Sequence, residues 1–275
     1  MDWHIHQMDV KTVFLNGIIE EEVYIEQREG FEIFSSESRV CRLKRALYGL
    51  KQAPCAWYTR IDNYFTGIGF TKSEADANLY QIVVEGKLLI IVLYVDDLIL
   101  TGDEQLIHSC KVDLAKEFEM KDLGLLHYFL GLEIWQWEGE LFLSQGKYAR
   151  EILEKFHMQG CKPIDTPLPR NWKKEDATSI EVVDAIVYRQ LVGSLMYLVN
   201  TRPDICYVVN QLSQVMVKPT KIFWKESKHV MRYLRGTFEY GLWYKQTDEV
   251  KFHGFTDADW AGSPTNKKST SGGIF

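Results

Sequence analysis

Apolar residues run from Leu88 to Val95 with Tyr94 as the one polar side chain, then Asp96 and Asp97 interrupt them, and Leu98, Ile99 and Leu100 follow at once. Short runs of Leu, Ile and Val on both sides of a two-residue break predict a buried β-hairpin with the acids at its turn. Asp is a common turn residue, so an acid-rich turn is the plain reading of that pair. The sharper reading is electrostatic. Two neighbouring carboxylates at the end of an apolar hairpin repel each other, and a hard divalent cation that takes carboxylate oxygens removes the conflict.

The same patterning predicts the other elements. A short strand covers His6 to Val10, and an acidic connector follows through Glu32. Pro54 stands where a first helical turn tolerates it, and Ala56 to Thr66 continues as a helix ending near Gly67 and Gly69. Glu104 to Met120 has an amphipathic helical pattern, Tyr128 to Leu143 reads as a hairpin turning at Glu138-Gly139, and Gln145 to His157 as another helix. Lys162 to Asp176, with three prolines, reads as a linker and the best internal boundary. Helices are expected at Val182 to Val199, Asp204 to Met216 and Thr220 to Arg235, and two strands around Leu242 and Phe252 begin something new. Strands, then helices, then strands imply an α+β chain.

Composition narrows the class. Of 275 residues, 46% are hydrophobic and 25% charged, the balance of a globular protein. No apolar run reaches the ~20 residues of a membrane span, and the chain opens with no basic leader and apolar core, so neither a membrane partner nor a secretory signal is expected. Five scattered cysteines without zinc spacing suggest reduced thiols. The net charge of −6 argues against nucleic acid as a partner, but its distribution argues the other way. Arg39 to Arg60 holds six basic residues and no acid, and Lys218 to Arg235 holds six against Glu226 alone, whereas Glu20 to Glu32 holds six acids and one Arg. At 100° per residue, Lys218, Lys221, Lys225, Lys228, Arg232 and Arg235 fall within a ~100° arc of one helix, opposite Phe223, Val230 and Leu234. Such a stripe could track phosphates; a solvated helix face is the alternative. Arg39, Arg42, Lys44 and Arg45 form a second basic patch.

A third acid belongs with the hairpin pair. Asp9 ends the first short strand, and three carboxylates from two strand segments can hold two Mg²⁺ ions for in-line displacement at phosphorus. Spacing alone does not bring Asp9 to Asp96 across 86 intervening residues.

Blocks along the chain carry a family resemblance. QMDVKTVFLNG, EEEVYIEQREGF, CRLKRALYGLKQAPCAWY, LYVDDLILTG, LGLLHYFLGLEI, YRQLVGSLMYLVNTRPDI and HVMRYLRGT resemble, in order, the reverse transcriptase of copia-type LTR retrotransposon Pol polyproteins. GFTDADWAGSPTNKKSTSGGIF resembles the opening of that polyprotein's RNase H region. The resemblance implies a right-hand polymerase palm, an antiparallel sheet with backing helices, over 1–143, with a fingers remnant at about 18–46. It further implies helical thumb and connection over 144–240 and an incomplete RNase H-like start over 241–275. Asp9, Asp96 and Asp97 match the catalytic, metal-binding acids, with the Val10 carbonyl as a further ligand for two Mg²⁺ (or Mn²⁺) ions. Phe14 matches the residue beneath the sugar of the incoming nucleotide, where its ring would clash with a 2′-hydroxyl and favour dNTP; a core Phe is the alternative. Tyr48, Gly49, Lys51 and Pro54 fall on the block lining the nucleotide and template side, and Cys55 stands where the family usually has Arg.

Partners implied by the resemblance are an RNA or DNA template with its primer, dNTP, and other parts of a Pol polyprotein. The implied location is the cytoplasm, in the virus-like particle of an active element, or the nucleus. In the family the fingers begin well before the block around Asp9, which only eight residues precede here. Little or no primer extension is therefore expected from the isolated chain, the alternative function being a catalytically incompetent remnant that at most binds nucleic acid. Asp257 matches the first RNase H carboxylate and Asp259 is a weaker candidate; no RNase H activity is expected.

Overall fold

The computed structural model describes residues 3–31, 39–169, 181–247, 253–258, 260, 269 and 271–274. The chain divides into two compact units, Asp2–Leu126 and His127–Phe275, so the internal boundary falls ahead of Tyr128 and not in the Pro-rich segment, where Lys162 and Thr166 are hydrogen-bonded within the second unit.

In the first unit, strand β1 (Ile5–Val10) leads through a 3-10 turn at Val13–Asn16 to a two-stranded ribbon, β2 (Tyr24–Ile25) against β3 (Cys41–Arg42). Helix α1 (Ala53–Gly67), β4 (Thr71–Lys72), β5 (Leu79–Val84), β6 (Lys87–Tyr94), β7 (Asp97–Gly102), helix α2 (Glu104–Glu117) and β8 (Met120–Leu125) follow. Six strands make one antiparallel sheet in the order β4-β5-β6-β7-β1-β8, so β1 is inserted between two later strands.

Alternation along the strands sends Met8, Val10, Leu89, Ile91, Leu93, Leu98 and Leu100 to one face. There they are buried with Trp57, Ile61 and Phe65 of α1 and Ile107, Cys110 and Leu114 of α2. The buried positions of α1, Ala53, Trp57, Ile61 and Phe65, recur every four residues and form the apolar stripe that seats it. Helix α1 starts at Ala53 with Pro54 in its first turn, as the sequence leads one to expect. The Asp103 carboxylate accepts from the Gln105 and Leu106 amides and caps α2.

Two expectations are corrected here. Helix α2 stops at Glu117, because Phe118 is extended (φ −125°, ψ 150°) and turns inward to pack, and Met120 opens a strand that the helical pattern concealed. The acidic segment Glu20 to Glu32 also contains β2, whose ribbon brings Arg42 within 3.3 Å of Glu22.

The second unit carries β9 (Tyr128–Phe129), β10 (Leu132–Trp137), β11 (Glu140–Ser144), helices α3 (Gly146–Lys155), α4 (Ala185–Leu198), α5 (Cys206–Ser213) and α6 (Lys221–Thr237), then β12 (Gly241–Lys245). Its sheet runs β12-β11-β10-β9, with Leu143 opposite Leu242. The strand around Leu242 therefore completes the sheet of the 128–144 hairpin; it does not begin something new. Strand β13 (Phe255–Ala258) pairs with β14 (Ser271–Ile274) in a separate ribbon. The strand expected around Phe252, residue Asp259 and the linker positions 170–176 lie outside the described residues. No helix among the described residues is long and apolar enough to cross a membrane.

Helices α3 to α6 share one core, with Ile152, Tyr188, Leu191, Leu195, Val208, Val230 and Leu234 all buried. An ion pair is set at its edge, with the guanidinium buried and the carboxylate partly exposed. Arg202, 2% exposed, donates from Nε and Nη2 to the two Asp204 oxygens at 2.9 and 2.7 Å, and from Nη1 to the Thr237 carbonyl at 2.7 Å. Tyr233 donates to the same carboxylate at 2.8 Å.

Removing the carboxylate leaves the buried guanidinium without its counter-charge while its hydrogen bonds to Thr237 remain, so Asp204→Ala should cost about 1–3 kcal/mol of unfolding free energy. Burial raises the Asp204 carboxyl, but the hydrogen bonds from Arg202 and Tyr233 outweigh it and hold the group below its ordinary value. A carboxyl depressed by folding stabilises above its unfolded pKa of about 3.9 and loses that contribution as pH falls through the folded value. Urea unfolding at pH 7 and pH 3 checks both points; a variant as stable as wild type at pH 7 would show that the pair holds nothing together.

Candidate functional site

Strand β1 lies antiparallel to β7 with Asp9 directly opposite Asp97, and the Val10 amide donates to the Asp96 carbonyl at 2.8 Å. The structure thus brings the three acids together. On its other side Asp9 faces Lys121 of β8, while Asp97 faces Tyr94 of β6. Paired residues share a face, so the row Tyr94, Asp97, Asp9, Lys121 crosses the sheet on the side away from α1 and α2. A bulge between Gln7 and Met8 shifts the β1–β8 register two residues from Asp9, with Leu123 as the extra residue.

Tyr94 pairs with Asp97, leaving Val95 and Asp96 as the two-residue turn. The expectation put both acids at the turn; Asp96 is in it, and Asp97 is the first residue of β7. Val95 takes φ +55°, a left-handed conformation costing on the order of 1–3 kcal/mol for a non-glycine residue. The Val95 carbonyl accepts a hydrogen bond from the Trp57 indole at 2.7 Å.

Asp97 is held above the ordinary carboxyl range by burial first and by the charges of Asp96 and Asp9; a hydrogen bond from Gln7 Nε2, at 2.7 Å, opposes the rise. Among the described residues no group of three or more His, Cys, Asp or Glu side chains closes around a metal position. Mg²⁺, however, is usually bound by one or two carboxylates, waters and substrate phosphates, without a complete protein cage. The facing carboxylates of Asp9 and Asp97, hard oxygen donors that repel each other, fit a cation of that kind.

Phe14 and Tyr48 meet edge to face with ring centroids 4.8 Å apart. Phe14 also packs against the cores on either side of it, so both readings of that ring have a physical basis. Tyr48 is exposed, and Gly49 next to it takes φ +90°, which favours glycine. Lys51 and Cys55 line a groove of about 640 Å³ together with Glu20, Glu21 and Arg60.

The cationic stripe is partly engaged within its own unit. Lys218 precedes Pro219 and lies ahead of α6, so it is off the helix. Lys221 pairs with Glu181 at 3.0 Å, Arg232 donates to the Lys162 carbonyl at 2.8 Å, and Arg235 to that of Gln159 at 2.7 Å. Lys225 and Lys228 are exposed, and Lys228 Nζ lies 4.9 Å from the Trp224 ring centre. Phe223, Val230 and Leu234 are buried, as the helical arc requires. Asp257 sits exposed on β13, and its carboxylate accepts from the Ala258 amide.

Sequence reasoning missed Gln7 and Trp57. Gln7 was findable, since it lies two residues before Asp9 on the same strand face. Trp57 reads as core from its spacing; the signal is that a buried indole N–H requires an acceptor.

Residues 1–170 match the family model of the reverse transcriptase (RNA-dependent DNA polymerase). The chain is 41% identical over 273 residues to the retrovirus-related Pol polyprotein from transposon RE1 of Arabidopsis thaliana, covering 99% of this chain and 19% of that protein. It is 39% identical to that from transposon RE2 of the same plant, over 99% of this chain and 19% of the relative. It is 41% identical to that from transposon TNT 1-94 of Nicotiana tabacum, over 100% of this chain and 22% of the relative. The chain therefore spans about a fifth of the length of these relatives.

A carboxyl raised by folding contributes least when ionised, so stability tied to Asp97 falls as pH rises from its unfolded to its folded pKa. Asp97→Asn removes the repelling charge and should raise the thermal midpoint at pH 7 by about 2–4 °C. The gain should shrink at pH 3, below the ordinary carboxyl value, where the wild-type group with its raised pKa is protonated. Calorimetry at both pH values checks this, and a lowered midpoint at pH 7 would refute it.

Proposed function

The chain belongs to the reverse transcriptase (RNA-dependent DNA polymerase) family, and on that premise we propose that Asp9, Asp96 and Asp97 serve metal-dependent transfer of a deoxynucleotide to a primer 3′-hydroxyl. The observation that carries the reading is the register: Asp9 opposite Asp97, with the Val10 amide bonded to the Asp96 carbonyl. In this reading the first unit is a polymerase palm with its acids on the open face of the sheet, β2 and β3 belong to the fingers, and the helices of the second unit are thumb and connection.

Two Mg²⁺ or Mn²⁺ ions, when bound, would acidify the attacking hydroxyl and offset charge on the transferring phosphoryl group. The chain's own part is positioning. Asp9 and Asp97 present facing carboxylate oxygens, and the Val10 carbonyl follows Asp9 on the same strand. Lys121, opposite Asp9 on the far side, adds a positive charge at the edge of the row. Phe14, steadied by Tyr48, supports the sugar of the incoming dNTP and excludes a 2′-hydroxyl, with Gly49 and Lys51 beside it. The remaining partners are an RNA or DNA template with primer, and the rest of a Pol polyprotein. Lys225 and Lys228 are the positions on α6 best exposed to phosphates, whereas Arg232 and Arg235 already hold backbone carbonyls.

The test places the chain in place of the matching segment of a transposon Pol polyprotein that extends oligo(dT) on poly(rA). The chimera should extend the primer. Asp96→Asn should reduce extension by about a thousandfold, the scale of losing a preorganised electrostatic contact to the transition state. A folded chimera without extension, or extension indifferent to Asp96→Asn and Asp9→Asn, would overturn the reading.

A further inference from the structure

Three features converge on the turn between β6 and β7. Val95 takes φ +55°, a conformation that a β-branched residue keeps only when its surroundings enforce it. Its carbonyl receives the indole N–H of Trp57 at 2.7 Å. The next carbonyl, that of Asp96, receives the Val10 amide at 2.8 Å. The turn is thus held from the helix layer by one hydrogen bond and from the Asp9 strand by another.

Trp57 is itself fixed. It is 2% exposed, its ring meets Phe118 edge to face at 5.4 Å, and α1 is seated against Gly17. A side chain at Gly17 would come within 2.9 Å of the Trp57 backbone nitrogen and 2.8 Å of the Ala56 Cβ, so only glycine allows that approach. Gly17 closes the 3-10 turn that follows β1. The connection is therefore a closed circuit: the strand bearing Asp9 leads to Gly17, Gly17 seats α1, and Trp57 of α1 holds the turn bearing Asp96, which bonds back to Val10.

We infer that Trp57 is a positioning residue, whose indole N–H holds the strained Val95–Asp96 turn so that Asp96 and Asp97 face Asp9. The link from turn geometry to ion binding rests on the proposed polymerase reading; the link from the indole to the turn does not. The indole touches neither substrate nor ion in this account and acts through the Val95 carbonyl alone.

The test uses the full chain with two variants at position 57. Trp57→Phe deletes the N–H, and 3-benzothienylalanine keeps the shape of indole with sulfur in place of the N–H. Hydrogen exchange of the Val10 amide reports on the turn, because that amide bonds to the Asp96 carbonyl, while amides of α2 report on global opening. Both variants should speed exchange at Val10 about tenfold relative to α2, the effect of losing one hydrogen bond. They should weaken the part of Mn²⁺ binding that Asp96→Asn abolishes by about fivefold on the same scale. Val95→Asn in the Trp57→Phe background should restore both, since Asn tolerates the left-handed conformation that Val resists. Unchanged Val10 exchange in folded variants would overturn the inference, as would acceleration shared equally with α2 or failure of Val95→Asn to restore protection. If wild type binds no Asp96-dependent Mn²⁺ while exchange responds as expected, the polymerase reading falls and the turn-holding role stands.

Discussion

The antiparallel pairing of Ile5–Val10 with Asp97–Gly102 is the constraint on which the rest of the first unit depends. It sets two opposed requirements on the same residues. Met8 and Val10 on one strand and Leu98 and Leu100 on the other are buried against the helices, which stabilises this register by about 6–12 kcal/mol for four side chains. The same register places Asp9 opposite Asp97, and two like charges at ~4 Å repel by about 4 kcal/mol at an effective dielectric of 20. Burial wins. A slip by one residue would relieve the repulsion but turn every apolar side chain of β1 to the open face. The acids meet because the residues between them are apolar.

Much of that arrangement was legible beforehand. The Leu88–Val95 and Leu98–Leu100 runs could be little other than a buried hairpin, and Pro54 before Ala56 to Thr66, with Gly67 and Gly69 after it, marked a helix. What the pattern could not give was β8. Its sequence, MKDLGL, carries Lys121 and Asp122 and follows a helical period that runs on through Phe118. A sheet-edge strand buries one face weakly, so its alternation is faint, and helix propensity in the preceding residues masks the boundary. The pairing of Leu143 with Leu242 was hidden for a different reason: it joins strands separated, among the described residues, by helices α3 to α6, and nothing local encodes the partner. At the site, the acids were legible as a repelling set without a meeting point. Gln7 and Trp57 escaped because hydrogen bonds to a carboxylate and to a backbone carbonyl leave no periodic trace.

The second unit shows how charge counted along a sequence differs from charge available to a partner. Arg232 and Arg235 fall on the cationic arc of α6, yet their guanidinium groups grip the carbonyls of Lys162 and Gln159. Pro163 packs close to Gly236 on the same helix, and His229 meets the Thr166 carbonyl at 3.0 Å. The described part of the Pro-rich segment is thus strapped to α6 by the residues that composition alone would assign to phosphate. Arg202 follows the same logic in the interior, where Asp204 and the Thr237 carbonyl absorb its charge.

The first unit, by contrast, leaves its conflict open at one place. Asp97 is half-buried beside two other carboxylates, and the Gln7 amide donates to it. Val95 holds a conformation that costs energy locally and is enforced by Trp57. An uncharged residue at position 97 would remove the repulsion, and glycine at position 95 would take the positive φ without steric cost. Unfavourable terms that survive beside a strongly determined register are what a site requires if its ligand is to supply the missing charge. A divalent cation would turn mutual repulsion into shared attraction at a spacing the strands already impose. On the proposed reading the sheet would contribute by fixing the backbone spacing of Asp9 and Asp97, so that the two carboxylates start near the positions a shared cation would occupy.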